Sequence, residues 1–363
     1  MTSGKRIDMF AKGQVSEAAV MAALSKVQEP ELHRDLVSLK MIRDVQINDG
    51  KVSFRIVLTT PACPLRSRIE REAREAVVSL PGVSAVEIKM DANVPDDGRA
   101  RGFLELPIRN SIAIASGKGG VGKSTVAVNV AVELAKSGAR VGLLDADIYG
   151  PNIPTMMGVR RLPPSDNGQL IPAEAYGVKL MSIGFLVKAE QPLIWRGPLL
   201  HSALHQFLTD VAWGELDYLV IDLPPGTGDA ALSLAQAIPL SGGVIVTLPQ
   251  QVSLDDARRG LETFRQLGVT VFGVVENMSY LELPDGKRMD IFGSGGGEKL
   301  ARETGVPFIG AIPMDPAVRQ GGDNGVPVVI SHPASAVALA LASIAHDLAA
   351  KVSVAAVQQR AFP

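Results

Sequence analysis

The chain has 363 residues, 46% hydrophobic and 20% charged, with a net charge of −2 and an isoelectric point near 6.2. That is ordinary for a globular protein of one large or two smaller domains, and it argues against a dedicated nucleic-acid binder, which carries a basic face. No apolar run is expected to reach the roughly 20 residues of a membrane-spanning helix, the N-terminal ten residues lack an apolar stretch behind Lys5 and Arg6, and the lone Cys63 cannot form an internal disulfide. These features point to a cytoplasmic protein with neither membrane nor nucleic acid as partner.

The chain begins with a small α+β pattern. Ser16 precedes a helical stretch to about Val27, with Val20, Leu24 and Val27 as its apolar stripe. Ile42, Val45 and Ile47 suggest a strand, Asp49-Gly50 a tight hairpin, and Val52, Phe54, Ile56 and Leu58 an alternating strand. Thr59 to Pro64 breaks that strand, a charged helix is predicted over 65–79, and Val86 to Ile88 forms a last strand. The domain limits predicted are 1–92, a polar linker over 93–108, and a second domain over 109–363.

In the second domain, apolar runs at 111–116, 141–145, 219–222, 243–247, 271–276 and 308–312 alternate with helical segments, and a helix over 334–352 closes the chain. Runs buried on both faces are what a parallel sheet covered by helices requires. The fold class predicted is α/β, a doubly wound and mostly parallel sheet, preceded by the small α+β domain.

Gly117-Lys118-Gly119-Gly120-Val121-Gly122-Lys123-Ser124 lies between a strand and a helix that starts near Thr125. Glycines let backbone N–H groups face a phosphate, and the helix N-terminus adds its positive end. Lys123 is suited to the β- and γ-phosphates and Ser124 to Mg²⁺. Three aspartates end strands: Asp145 and Asp147 after the second, Asp222 after the third. Asp145 and Asp222 are candidates for holding Mg²⁺, Asp147 for orienting an attacking water; a helix N-cap is the alternative reading, above all for Asp145. Gly226 and Gly228 suit a loop that moves on γ-phosphate loss.

Cys63 reads either as a small buried residue or as a reactive thiol or metal ligand, its pKa lowered by a helix N-terminus, Arg66 and Arg68. Glu31 and Asp35 are weaker companions. His201 and His205 read as surface residues of one helix, with metal binding as the alternative. Gly295 to Gly297 are expected to form a loop before a helix starting near Glu298.

Ser116 to Thr125, Asp145 to Asn152, Trp195 to Pro198, Asp217 to Asp229, Glu276 to Ser279 and Ile291 to Gly296 together resemble the Mrp/ApbC family of deviant-Walker P-loop ATPases. The N-terminal unit, with Thr59 to Pro64, is similar to the SufT/PaaD-like domain often fused to them. The resemblance implies slow ATP hydrolysis and a nucleotide-sandwich homodimer in which Lys118 reaches the phosphates of the opposite subunit. It implies nucleotide contacts from the loop through Thr125, adenine contact by Asn277 and a second base-pocket edge at Pro313. It further implies an iron–sulfur cluster as cargo, with apo client proteins and assembly factors as partners. Many members carry Cys-x-x-Cys shortly after the Asn-Met-Ser segment; here Tyr280 to Arg288 has no cysteine, so a dimer offers two copies of Cys63, short of the four thiolates an all-cysteine site takes. A cluster-free ATP-dependent scaffold and a positioning ATPase of the MinD/ParA type are the alternative functions.

Overall fold

The computed structural model describes residues 15–97, 107–147, 150–166, 168–185, 197–226, 240–283 and 285–361. The chain divides between Val94 and Pro95 into two compact units.

The first unit contains α1 (Glu17–Leu24), β1 (Ile42–Asn48), β2 (Lys51–Leu58), α2 (Arg66–Val78) and β3 (Ala85–Ala92). The Ser16 side chain accepts the Ala19 amide, so α1 starts where predicted, but it ends at Leu24; Lys26 and Val27 continue as turns, and Val27 still packs into the core. β1 and β2 pair antiparallel across Asp49-Gly50, and β3 lies parallel on β2. Both turn residues take positive φ, +48° and +80°, as the tight hairpin turn demands. Val52, Phe54, Ile56 and Leu58 form the core face against Ile69, Ala73 and Val77 of α2.

The second unit contains β4 (Ile108–Ser116), α3 (Lys123–Lys136), β5 (Val141–Asp145), α4 (Ile153–Met156), β6 (Ala173–Ala175), β7 (Val178–Ser182), α5 (Gly197–Thr209), β8 (Leu216–Asp222), β9 (Gly242–Thr247), α6 (Gln251–Gln266), β10 (Val271–Glu276), α7 (Gly296–Thr304), β11 (Phe308–Ala311), α8 (Pro316–Asn324), α9 (Val328–Ser331) and α10 (Ala336–Ala361). Eight strands form one sheet in the order β11-β10-β9-β4-β8-β5-β7-β6. Neighbours run parallel except β6, which is antiparallel to β7. The sheet is doubly wound, with α3 and α10 packed together and residues of α5, α6 and α7 in a separate core cluster with Ala113, Ile221 and Ile245.

The β6–β7 hairpin escaped the sequence reading. Its turn is Tyr176-Gly177, with φ of +52° and +76°, and the Tyr176 hydroxyl donates to Gly325 O at 2.7 Å. A tertiary hydrogen bond thus holds a residue that has no intrinsic preference for that turn. α10 also corrects an expectation: by length and composition Ala336–Gln359 could cross a membrane, with a mean hydropathy of 1.5. Its apolarity is spent inside the protein, where Val337, Leu341, Ile344, Ala345 and Leu348 are buried. Of the expected linker, Asn93 N donates to Leu58 O in the first unit, Pro95 O accepts from Asn110 Nδ2 in the second, and 98–106 lie outside the described residues.

Candidate functional site

β4 ends at Ser116 and α3 begins at Lys123, so the glycine loop bridges the carboxyl edge of a central strand and a helix N-terminus. Gly122 caps α3 at φ +83°, and a Cβ there would lie 2.1 Å from Asn277 Nδ2. Gly117 meets the α6 backbone, its notional Cβ 2.1 Å from the Asp256 carbonyl carbon. Gly119 and Gly120 are exposed, and a Cβ on Gly120 would touch nothing within 4 Å. The loop is thus pinned at both ends and open in its middle. Val121 is buried; Lys118 is half-buried, and its carbonyl accepts the Ser116 hydroxyl at 2.9 Å.

Parallel register places Ser182, Asp145 and Asp222 in one row across β7, β5 and β8. Asp222 is fully buried; it accepts from Lys123 Nζ at 2.6 Å through Oδ1 and from the Ser124 hydroxyl at 2.6 Å through Oδ2. Asp147 Oδ2 lies 3.7 Å from the same ammonium. Asp145 takes the Asp147 amide on Oδ1 at 3.2 Å and the Ser182 hydroxyl on Oδ2 at 2.8 Å. Burial first, then the Asp222 charge, pushes the Asp145 carboxyl up to about 7; burial also raises Asp222 against the pull of Lys123. A hydroxyl and carboxylates grouped around one lysine at a strand edge form an all-oxygen donor set that fits Mg²⁺. Mg²⁺ takes few protein ligands and completes its shell with water and phosphate; no group of three or more His, Cys, Asp or Glu side chains placed to hold a metal by themselves stands among the described residues.

A cleft of about 710 Å³ opens beside the loop, lined by Thr125, Asn277, Pro313 and Asp315 among others. Asn277 lines it and also straps the loop, donating Nδ2 to Val121 O at 2.8 Å. Glu276 was not singled out from the sequence. Its buried carboxylate accepts from the Ser279 hydroxyl at 2.5 Å and the Gly297 amide at 2.6 Å, which ties the segment over 276–279 to the N-terminus of α7. α7 accordingly starts at Gly296, inside the glycine run expected to be loop.

Ile148, Tyr149, Trp195, Arg196 and 227–229, with Gly228, lie outside the described residues. His201 and His205 both fall in α5, and His205 is exposed.

Cys63 departs from expectation. α2 starts three residues later, at Arg66, and Arg68 is paired to Glu72. Partial burial pushes the thiol up to about 11 and outweighs the lowering by the Leu65 amide; Glu31 and Glu29 add smaller rises, and Arg66 lowers it least. Alkylation by iodoacetamide should therefore accelerate about tenfold per pH unit from pH 7 to 10; a plateau near pH 8 would contradict this environment.

The fold and the loop define a P-loop NTPase. The chain belongs to the NUBPL iron-transfer P-loop NTPase family, matched by residues 107–349, and residues 17–90 match the iron-sulfur cluster assembly protein family. It is 55% identical over 347 residues to an iron-sulfur cluster carrier protein of Synechocystis sp., covering 93% of this chain and 98% of that one. It is 50% identical over 340 residues to an iron-sulfur cluster carrier protein of Deinococcus radiodurans, covering 93% and 95%. Among solved structures it resembles a nucleotide-binding protein from Archaeoglobus fulgidus in complex with ADP, at 42% identity and a TM-score of 0.54, covering 60% of this chain and 87% of that one.

Proposed function

We propose that this protein is an ATP-binding and ATP-hydrolysing carrier that assists assembly or transfer of iron–sulfur clusters to apoproteins. The observation that carries it is the set Lys123, Ser124 and Asp222 at the open glycine loop, in a chain 55% identical to a cluster carrier. Phosphoryl transfer asks a protein mainly for positioning and charge neutralisation. Gly117 to Gly122 cradle the phosphates, Lys123 neutralises the terminal ones, and Thr125, Asn277 and Pro313 border the nucleoside. Ser124, Asp145 and Asp222 would hold Mg²⁺, which would supply neutralisation of the charge that develops during transfer. Asp147 orients the attacking water. Lys118 acts across a homodimer, on the opposite subunit's nucleotide. The working boundaries are a small domain over 1–92, a linker over 93–108 and the ATPase domain over 109–363, in a cytoplasmic protein.

Asp147→Ala should keep nucleotide affinity and slow hydrolysis by about 10²-fold, the scale of lost positioning. Equal loss of binding in Asp147→Ala and Lys123→Ala would contradict the role given to Asp147.

The cargo site is incomplete within one chain. Cys63 is the single thiol, it is partly buried, and its raised pKa disfavours the thiolate that ligates iron. Cluster ligands are therefore shared with a second copy, a small thiol or the client. The same observation favours a second reading, an ATP-dependent scaffold that cycles client contacts without holding a cluster. Anaerobic reconstitution with iron and sulfide separates the two: a carrier takes up both, and Cys63→Ala lowers the uptake. No uptake by the wild type would leave only the scaffold.

A further inference from the structure

We propose that Ser182 is a positioning residue of the ATPase site, acting through Asp145 on Asp147; this rests on the ATPase reading above. Ser182 ends β7, two strands away from Asp222 in the registered row. Its side chain is fully buried, and its oxygen accepts the Gly184 amide at 3.0 Å. With that lone pair engaged, the single hydroxyl proton is directed to Asp145 Oδ2 at 2.8 Å.

Asp145 is thereby gripped at both oxygens. Its Oδ1 accepts the Asp147 amide, so the orientation of this carboxylate fixes the backbone from which Asp147 projects. Asp222 is its direct neighbour in the row, and both carboxylates are fully buried. Two adjacent buried carboxylates repel, and an acceptor stripped of its donor in such a place is strongly disfavoured. Without the Ser182 hydroxyl, Asp145 turns about its Cβ–Cγ bond toward other donors and releases the Asp147 amide. The chain from Ser182 through Asp145 ends on the group assigned to the attacking water, whereas loop, Lys123 and base cleft are untouched. Ser182 therefore governs turnover first and, because Asp145 is also assigned to Mg²⁺, the Mg²⁺ dependence second, while the contacts of the loop, Lys123 and the cleft to the nucleotide stay as they are.

The test compares Ser182→Ala and Ser182→Thr in the full chain by two readouts, steady-state ATP hydrolysis with Mg²⁺ and NMR-detected exchange of the Asp147 amide. Expected for Ser182→Ala at saturating Mg²⁺ are a kcat about tenfold lower at unchanged KM for ATP and Asp147 exchange about tenfold faster than neighbouring strand amides show. Ser182→Thr keeps a hydroxyl and restores both. Unchanged kcat and exchange in Ser182→Ala overturn the proposal, as does a threonine variant as defective as alanine. So does a lowered melting temperature with both readouts intact, which makes Ser182 structural only. A wild type that hydrolyses no ATP sinks the ATPase reading, and the Asp147 exchange still decides the role of Ser182.

Discussion

Lys123→Ala is expected to abolish nucleotide binding and to destabilise the free protein at the same time. The side chain is 6% exposed and its ammonium is bonded to an Asp222 with no exposure at all. Removing one partner of a buried ion pair strands the other, a loss of about 3–5 kcal/mol. The nucleotide loses its nearest fixed positive charge, and a fall in affinity of about 10²-fold or more follows, at 1.4 kcal/mol per factor of ten. The double variant Lys123→Ala with Asp222→Ala separates these effects. It removes the stranded carboxylate, so it should regain much of the stability and none of the binding. Thermal denaturation and titration with a fluorescent ATP analogue measure the two. Lys123→Ala with wild-type affinity would contradict the assignment of the loop.

Gly117→Ala is the second large effect, and its cause is steric. The added Cβ would stand 2.1 Å from the Asp256 carbonyl carbon, 2.2 Å from its oxygen and 2.5 Å from Ala257 N. All three are main-chain atoms of α6, so no rotamer change relieves the clash. Either α6 or the loop must move, at a cost of about 3 kcal/mol, the upper range of overpacking. The loop amides move with it, so nucleotide affinity should fall as well. Gly120→Ala is the control: its φ is +78° but nothing lies within 4 Å of the added atom, so only the left-handed strain of about 1–2 kcal/mol applies. Comparable melting temperatures for the two variants would mean that α6 does not abut Gly117 as described.

The parts of the site that were legible in the sequence are those written locally. The glycine loop, Lys123, Ser124 and the strand-end aspartates each follow from a few contiguous residues and from the rule that ligands bind at the carboxyl ends of parallel strands. What escaped depends on long-range register or on tertiary partners. Ser182 lies beside Asp145 only because β7 pairs with β5, and β7 itself was hidden by a turn that Tyr176 holds through Gly325. The tie from Glu276 to α7 joins two motifs that were each visible, by hydrogen bonds across about twenty residues of sequence separation. The thiol of Cys63 was misjudged because Arg66 and Arg68 are near in sequence, whereas burial and the folded positions of Glu29 and Glu31 set its environment. α10 runs on to Ala361, past the predicted end at 352, since residues 352–361 contain neither glycine nor proline to stop it.

The measurement that bears most directly on the central claim is delivery of a cluster to an apo iron–sulfur client under anaerobic conditions. The wild type, loaded with iron and sulfide, should activate the client. Lys123→Ala and Asp147→Ala should each lower the amount activated when ATP and Mg²⁺ are present. A client activated to the same extent by the wild type and by Lys123→Ala, with or without ATP, would contradict an ATP-dependent carrier.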